Sequence, residues 1–198
     1  MEISLEELNS KGIQVDEEMV KQRHESAFKQ HQEKSREASK GLFKGGLADT
    51  SEMSTKYHTA THLLLAALYE VLGSHIHQKG SNITPERLRL DFPNDEKLTD
   101  QQVKQVEDLV NQKIQEGLEV TWQEVSKQEA LERVKYASFE DRYDDTVKLY
   151  TIGSPENPFS VEICGGPHVE NTSQLGQFRI VKQENVGAGV KRIKAVLE

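Results

Sequence analysis

Two short segments carry the side chains best suited to chemistry. His58-Thr-Ala-Thr-His62 spaces two imidazoles four apart, which lays both on one helix face within reach of a single metal ion. Cys164-Gly-Gly-Pro-His168 spaces a thiol and an imidazole four apart on a glycine-rich loop. Three nitrogens and one sulfur suit a tetrahedral Zn²⁺. Taken singly, each half has an ordinary explanation. A helical histidine pair is often incidental, and a lone cysteine is usually an inert small hydrophobe. Together they use four of the eight His and Cys residues in the chain. Zinc binding is the reading this conjunction favours, with a purely structural packing role as the alternative.

For the two segments to meet, a helix and a strand end must deliver them. Residues 57–72 predict a helix closed by Gly73, and its run from Leu63 to Leu68 leaves little polar face, so it belongs in the core. Residues 74–78 read as a strand and 79–82 as a turn. In 87–92, Leu88, Leu90 and Phe92 alternate with Arg87, Arg89 and Asp91, as in a half-buried strand. Thr99 and Gln102 fit a capping box, and Val103, Val106, Val110 and Ile114 follow at helical spacing. Residues 120–125 read as a strand and Ser126 opens a short helix. Four more strands are expected at 147–152, 159–163, 178–183 and 190–197, with 153–158 as a turn. Strands in succession with helices inserted predict an α+β fold on a largely antiparallel sheet with packed helices.

The first 44 residues differ from the rest. Residues 16–44 alternate acids and bases and are poor in large apolar side chains, which predicts a charged, solvated connecting helix. Gly45 and Gly46 break it. The expected division is a connecting segment at 1–44 and a catalytic domain at 45–198. The single cysteine excludes an internal disulfide and fits a reducing cytosol, so a cytoplasmic location is expected. No apolar run approaches a membrane span, and no membrane partner is expected. A net charge of −8 argues against a general polyanion or DNA binder, while leaving room for a local basic patch.

His58-Thr-Ala-Thr-His62, Gln78-Lys-Gly-Ser81, Cys164-Gly-Gly-Pro-His168 and Gly187-Ala-Gly-Val-Lys-Arg-Ile193 together resemble the editing domain of alanyl-tRNA synthetase. The same domain occurs in free-standing AlaX-type trans-editing proteins, and threonyl-tRNA synthetase carries a related one. The resemblance runs in order over residues 14–198. It implies the fold of the threonyl/alanyl-tRNA synthetase second additional domain. It also implies hydrolysis of the ester between a wrong amino acid, serine and possibly glycine, and the acceptor end of tRNA(Ala). His58, His62, Cys164 and His168 match the family's metal positions, Gln78 and Thr61 its pocket, and Glu162 an acid two residues before the cysteine. Pro167 is the threonyl-like choice at its position. No segment resembles an aminoacylation core. The chain therefore reads as a zinc-dependent aminoacyl-tRNA deacylase, free-standing or the editing region of a synthetase. The rivals are threonyl-type editing of Ser-tRNA(Thr) and a non-catalytic, zinc-stabilised tRNA-binding domain.

Within that reading, Thr61 and Gln78 offer a hydroxyl and an amide to the serine hydroxyl. Their plain readings are a helix-surface residue and an exposed strand end. Glu162 would be a general base or would orient a ligating histidine; its plain reading is an outward position on an alternating strand. Between residues 173 and 197, Arg179, Lys182, Lys191, Arg192 and Lys194 face one acid, Glu184. With Lys79, Arg87 and Arg89 they could form a path for acceptor-end phosphates, or simply solvated strand faces. Gly187 and Gly189 would hold a backbone turn near the terminal ribose or phosphate.

Overall fold

The computed structural model describes Arg23, Ser26, Leu47 and residues 49–134, 143–187 and 189–198. Of the charged connecting helix expected from the sequence only Arg23 and Ser26 are described, both helical, and the Gly45-Gly46 break lies outside the described residues.

Helix α1 (Glu52–Leu72) starts earlier than its apolar run suggests. Ser51 caps it by accepting from the Ser54 amide, and Asp49 in turn accepts from the Ser51 amide and hydroxyl. Leu63, Leu64, Leu65 and Leu68 are fully buried, so almost the whole circumference is core. Gly73, at φ +110°, ends it. The chain then turns at Ser74 and His75 instead of forming the expected strand at 74–78. The Ile76 amide reaches back to the Gly73 carbonyl, and only Ile76 of that segment is buried. Strand β1 (Gly80–Thr84) begins inside the expected turn, because its partner β2 (Arg87–Pro93) continues far enough to pair Gly80 with Asp91. A partner strand, rather than local composition, sets that boundary.

Helix α2 (Asp100–Gln115) carries the reciprocal Thr99–Gln102 capping box, and only Val106, Val110 and Ile114 of it are buried. Strand β3 (Val120–Ser126) runs into α3 (Lys127–Arg133), whose Glu129 amide donates to the Ser126 hydroxyl. Strands β4 (Thr146–Ser154) and β5 (Asn157–Ile163) form a tighter hairpin than expected, with a bulge at Ile152/Gly153 where Gly153 has φ +101°. A 3₁₀ turn (Thr172–Leu175) precedes β6 (Phe178–Gly187) and β7 (Val190–Leu197).

The described strands form two antiparallel sheets, β1-β2-β7-β6 and β3-β4-β5, so the fold is α+β. Helix α1 packs on β1, β2 and β5, and α2 packs on α1. The main core joins α1 and α2 to Leu88, Leu90, Phe92, Ile193 and Ala195. A smaller core sets Ala130 of α3 against Val147, Leu149 and Val161. No described helix is long and apolar enough to cross a membrane.

Candidate metal centre

One face of the three-stranded sheet looks towards the chemistry. The register sets Trp122, Tyr150 and Glu162 in one cross-strand row, and the Cys164 amide bonds the Lys148 carbonyl beside it. Side chains of like parity share a face, so Glu162 and then Cys164 come to the same side as strand β5 ends against α1. There the ligand atoms of His58, His62, Cys164 and His168 all lie within 4.8 Å of one another. The rings of His58 and His168 stack with centroids 4.1 Å apart, and His62 approaches His168 edge-on at 4.5 Å.

Two of the imidazoles have their Nδ1 assigned by a hydrogen bond, and the third faces a carboxyl group. His58 Nδ1 donates to the Pro167 carbonyl at 3.0 Å. His168 Nδ1 donates to Thr59 Oγ1 at 3.1 Å, since that hydroxyl commits its own proton to the Thr55 carbonyl. His62 Nδ1 faces Glu162 Oε1 at 3.4 Å. The Nε2 atoms of His58 and His168 are therefore lone-pair donors. Cys164 Sγ lies 3.2 Å from His58 Nε2, while His168 Nε2 is buried with no hydrogen-bond partner.

One thiol proton, already beside His58 Nε2, cannot also satisfy the buried lone pair of His168 Nε2. A cation can, and the N₃S donor set fits Zn²⁺. Burial also holds the three rings neutral, the form that ligates: His58 is lowered to about 4, and His62 and His168 well below the usual histidine value. Burial pushes the Cys164 thiol up to about 12, a direction that a bound cation reverses.

Glu162 is not the outward strand residue of its plain reading. It is mostly buried, accepts from the Ser160 hydroxyl at 2.8 Å and lies against His62; burial raises it to about 8. Thr61 is not on a helix surface either. It is buried on α1, and its hydroxyl donates to the Tyr57 carbonyl at 2.8 Å, leaving the oxygen able to accept. Gln78 is half-buried just before β1, and its amide donates to Ser81 at 3.2 Å; no hydrogen bond among the described residues ties it to the four donors.

Two site residues escaped the sequence reading. Thr59, fully buried between the two helical histidines, accepts from both His168 Nδ1 and the Val169 amide and so ties the loop to the helix. Tyr150 packs its ring 4.4 Å from that of His168, and its hydroxyl and ring occupy the space where Gly166, at φ +62°, would carry a Cβ. Tyr150 lies on the face of β4 opposite to the core residues Val147 and Leu149, so the strand's apolar alternation does not mark it, and nothing local marks Thr59.

The expected phosphate path divides. Arg87, Arg89, Asp91, Arg192, Lys194, Lys182 and Glu184 share the outer face of the four-stranded sheet, five cations to two carboxylates. Arg192 forks onto Asp91 with two 2.8 Å bonds, Arg89 lies 3.7 Å from the same carboxylate, and Lys182 and Lys194 both pair with Glu184. Arg87 bonds the backbone and side chain of Asn82. Lys191 faces the other way. It is buried opposite Phe92 and donates to the Asn94 and Asp95 carbonyls at 2.9 and 2.8 Å. Lys79 is exposed, and Gly187 and Gly189 flank the β6–β7 turn with open space about them.

Residues 147–194 match the family model described as the threonyl and alanyl tRNA synthetase second additional domain. The whole chain is 50% identical over 198 residues to an alanine–tRNA ligase of Treponema denticola, of which it covers 32%. Over 170 residues, 86% of the chain, it is 51% identical to the alanine–tRNA ligase of Borreliella burgdorferi and covers 28% of it. Over 141 residues, 71% of the chain, it is 48% identical to that of Ligilactobacillus salivarius, covering 16%. The chain thus spans about a third or less of these curated relatives. The resemblance read from the sequence is borne out.

Proposed function

We infer, for a chain that resembles an alanyl-tRNA synthetase editing-type domain along its whole length, that it hydrolyses the ester of tRNA(Ala) wrongly charged with serine or glycine. It would act as the editing region of a synthetase or as a free-standing protein, inside the cytoplasm. The convergence of His58, His62, Cys164 and His168 carries the reading. We propose these four as ligands of Zn²⁺, which when bound supplies Lewis-acid charge beside the ester. The division into a connecting segment at 1–44 and a catalytic domain at 45–198 belongs to the same proposal.

An aminoacyl ester is already activated, so the protein's work is mainly positioning. Water adds to the carbonyl carbon, the bond to the ribose oxygen breaks, and that oxygen takes up a proton from the added water while the free amino acid leaves. Glu162 orients the His62 ring through Nδ1. Selectivity against alanine needs a polar group that alanine leaves unpaired, because alanine is smaller than serine and cannot be excluded by size. Thr61 Oγ1, its proton held by the Tyr57 carbonyl, is an acceptor for the serine hydroxyl. Gln78 is given the same task because it opens the Gln78–Ser81 segment that carries the resemblance. Acceptor-end phosphates would meet Lys79 and the outer sheet face with Arg87, Arg89 and Arg192, near the Gly187–Gly189 turn.

Incubation with Ser-tRNA(Ala), Ser-tRNA(Thr) and Ala-tRNA(Ala) tests the reading. Loss of the first ester alone is expected. Loss of Ser-tRNA(Thr) instead would indicate a threonyl-type module, and loss of neither serine ester a binding domain without hydrolysis. In parallel, Cys164→Ala should lose both bound zinc and hydrolysis; full activity in a zinc-free variant would end the metal assignment.

A further inference from the structure

Trp122 is the chain's only tryptophan, and it stands 52% exposed on the edge strand β3. A single exposed aromatic ring is ordinary on a protein surface, and what sets Trp122 apart is its surroundings. Lys148 places its ammonium 4.3 Å from the ring centroid, with Glu124 across from Lys148 on the edge. The register puts Trp122 beside Tyr150, ring centroids 6.4 Å apart, and Tyr150 is 4.4 Å from the His168 ring. An aromatic track thus runs from the open sheet edge to the four-donor cluster, with a cation at its outer end.

We propose that Trp122 is a stacking platform for an unpaired base of the RNA acceptor end, with Lys148 meeting the adjoining phosphate. This rests on the deacylase reading above. A π-face next to a cation is the chemistry with which proteins hold single-stranded nucleic acid without reading its sequence. A protein partner would have no reason to be continuous with the reactive cluster, whereas a nucleotide whose ester lies there must leave along some surface leading away from it. The platform also suits a role in affinity rather than in the bond-breaking step, since Trp122 lies in the row beyond Tyr150 from the donors.

The full chain allows a direct test, because all tryptophan emission comes from this one ring. An uncharged RNA minihelix with an unpaired CCA end should quench that emission on binding, and the same minihelix lacking the unpaired end should not. Trp122→Leu should weaken binding of the CCA minihelix, followed by anisotropy of a 5′ label, by about 5- to 150-fold. In deacylation it should raise KM with kcat retained, and Trp122→Phe should recover much of the loss. Tight binding by anisotropy with unchanged emission, and with undiminished affinity in Trp122→Leu, overturns the platform and leaves the deacylase reading standing. Absence of any anisotropy change with either RNA also overturns the platform, while the deacylase reading stands or falls separately on hydrolysis of Ser-tRNA(Ala).

Discussion

Thr59 shows how much one hydroxyl can organise. Its proton goes to Thr55, and its oxygen accepts from His168 Nδ1 and from the Val169 amide, so the helical and loop halves of the centre share this atom. Thr59→Val keeps the shape and strands two buried donors, at a cost of about 1–3 kcal/mol. Zinc affinity, measured by competition with a chromophoric chelator, should fall roughly 10- to 100-fold, as for other partners of ligating histidines. Thr59→Ser should restore it; an unchanged affinity in the valine variant would remove Thr59 from the support of the centre. On the proposed function, selectivity is also decided at this scale. Gln78→Ala should lose about three- to tenfold more hydrolysis of Ser-tRNA than of Gly-tRNA, the worth of one hydrogen bond to the serine side chain. Equal losses on the two substrates would exclude Gln78 from side-chain recognition.

Among the elements, the hairpin β4–β5 and the loop after it bear most on function. Tyr150 on β4 fills the space above Gly166, so the loop can pass only where no Cβ is present. Gly166→Ala should lower Tm and zinc content together. Adding Tyr150→Phe, which removes the hydroxyl nearest the new methyl group, should recover part of both losses. The positive φ at Gly166 keeps recovery incomplete. A Gly166→Ala protein with wild-type Tm would show that the loop shifts freely. Alternation in 147–152 and 159–163 makes both strands legible in the sequence. Their pairing with β3, which sets Trp122, Tyr150 and Glu162 in one row, is not, because register depends on two partners and not on either strand's own pattern.

Across the whole molecule, charge that is concentrated along the chain is redistributed in space. The late basic cluster of residues 173–197 meets Asp91 and Glu198, two acids outside that stretch. Lys191 leaves the surface altogether. It shares strand parity with Ile193 and Ala195, which point into the core, and that alternation is readable in the sequence. Lys191→Met should therefore lower Tm, since two carbonyls lose their donor, while the salt dependence of tRNA binding stays as it is. Arg89→Gln with Lys194→Gln should do the reverse, flattening the slope of log K against log salt by roughly 0.7–0.9 for each phosphate that the protein ceases to neutralise. A slope changed by Lys191→Met and untouched by the outer-face pair would reverse this division of the basic residues.

What the sequence determined by itself is what depends on near neighbours. Helical spacing puts His58 and His62 on one face, the Thr99–Gln102 box starts α2, and alternation marks β2 and β7. The four donors could be named as a set because their types and spacings are unusual in combination. Tertiary structure alone decided which nitrogen of His58 and of His168 is free, that Glu162 is turned inward, that Thr59 joins the halves, and that Lys191 finds the Asn94 and Asp95 carbonyls. Those outcomes rest on contacts between residues as many as 110 positions apart, such as Val169 with Thr59. A hydrogen bond or a burial of that kind is fixed only when distant segments pack, and local pattern holds no record of it.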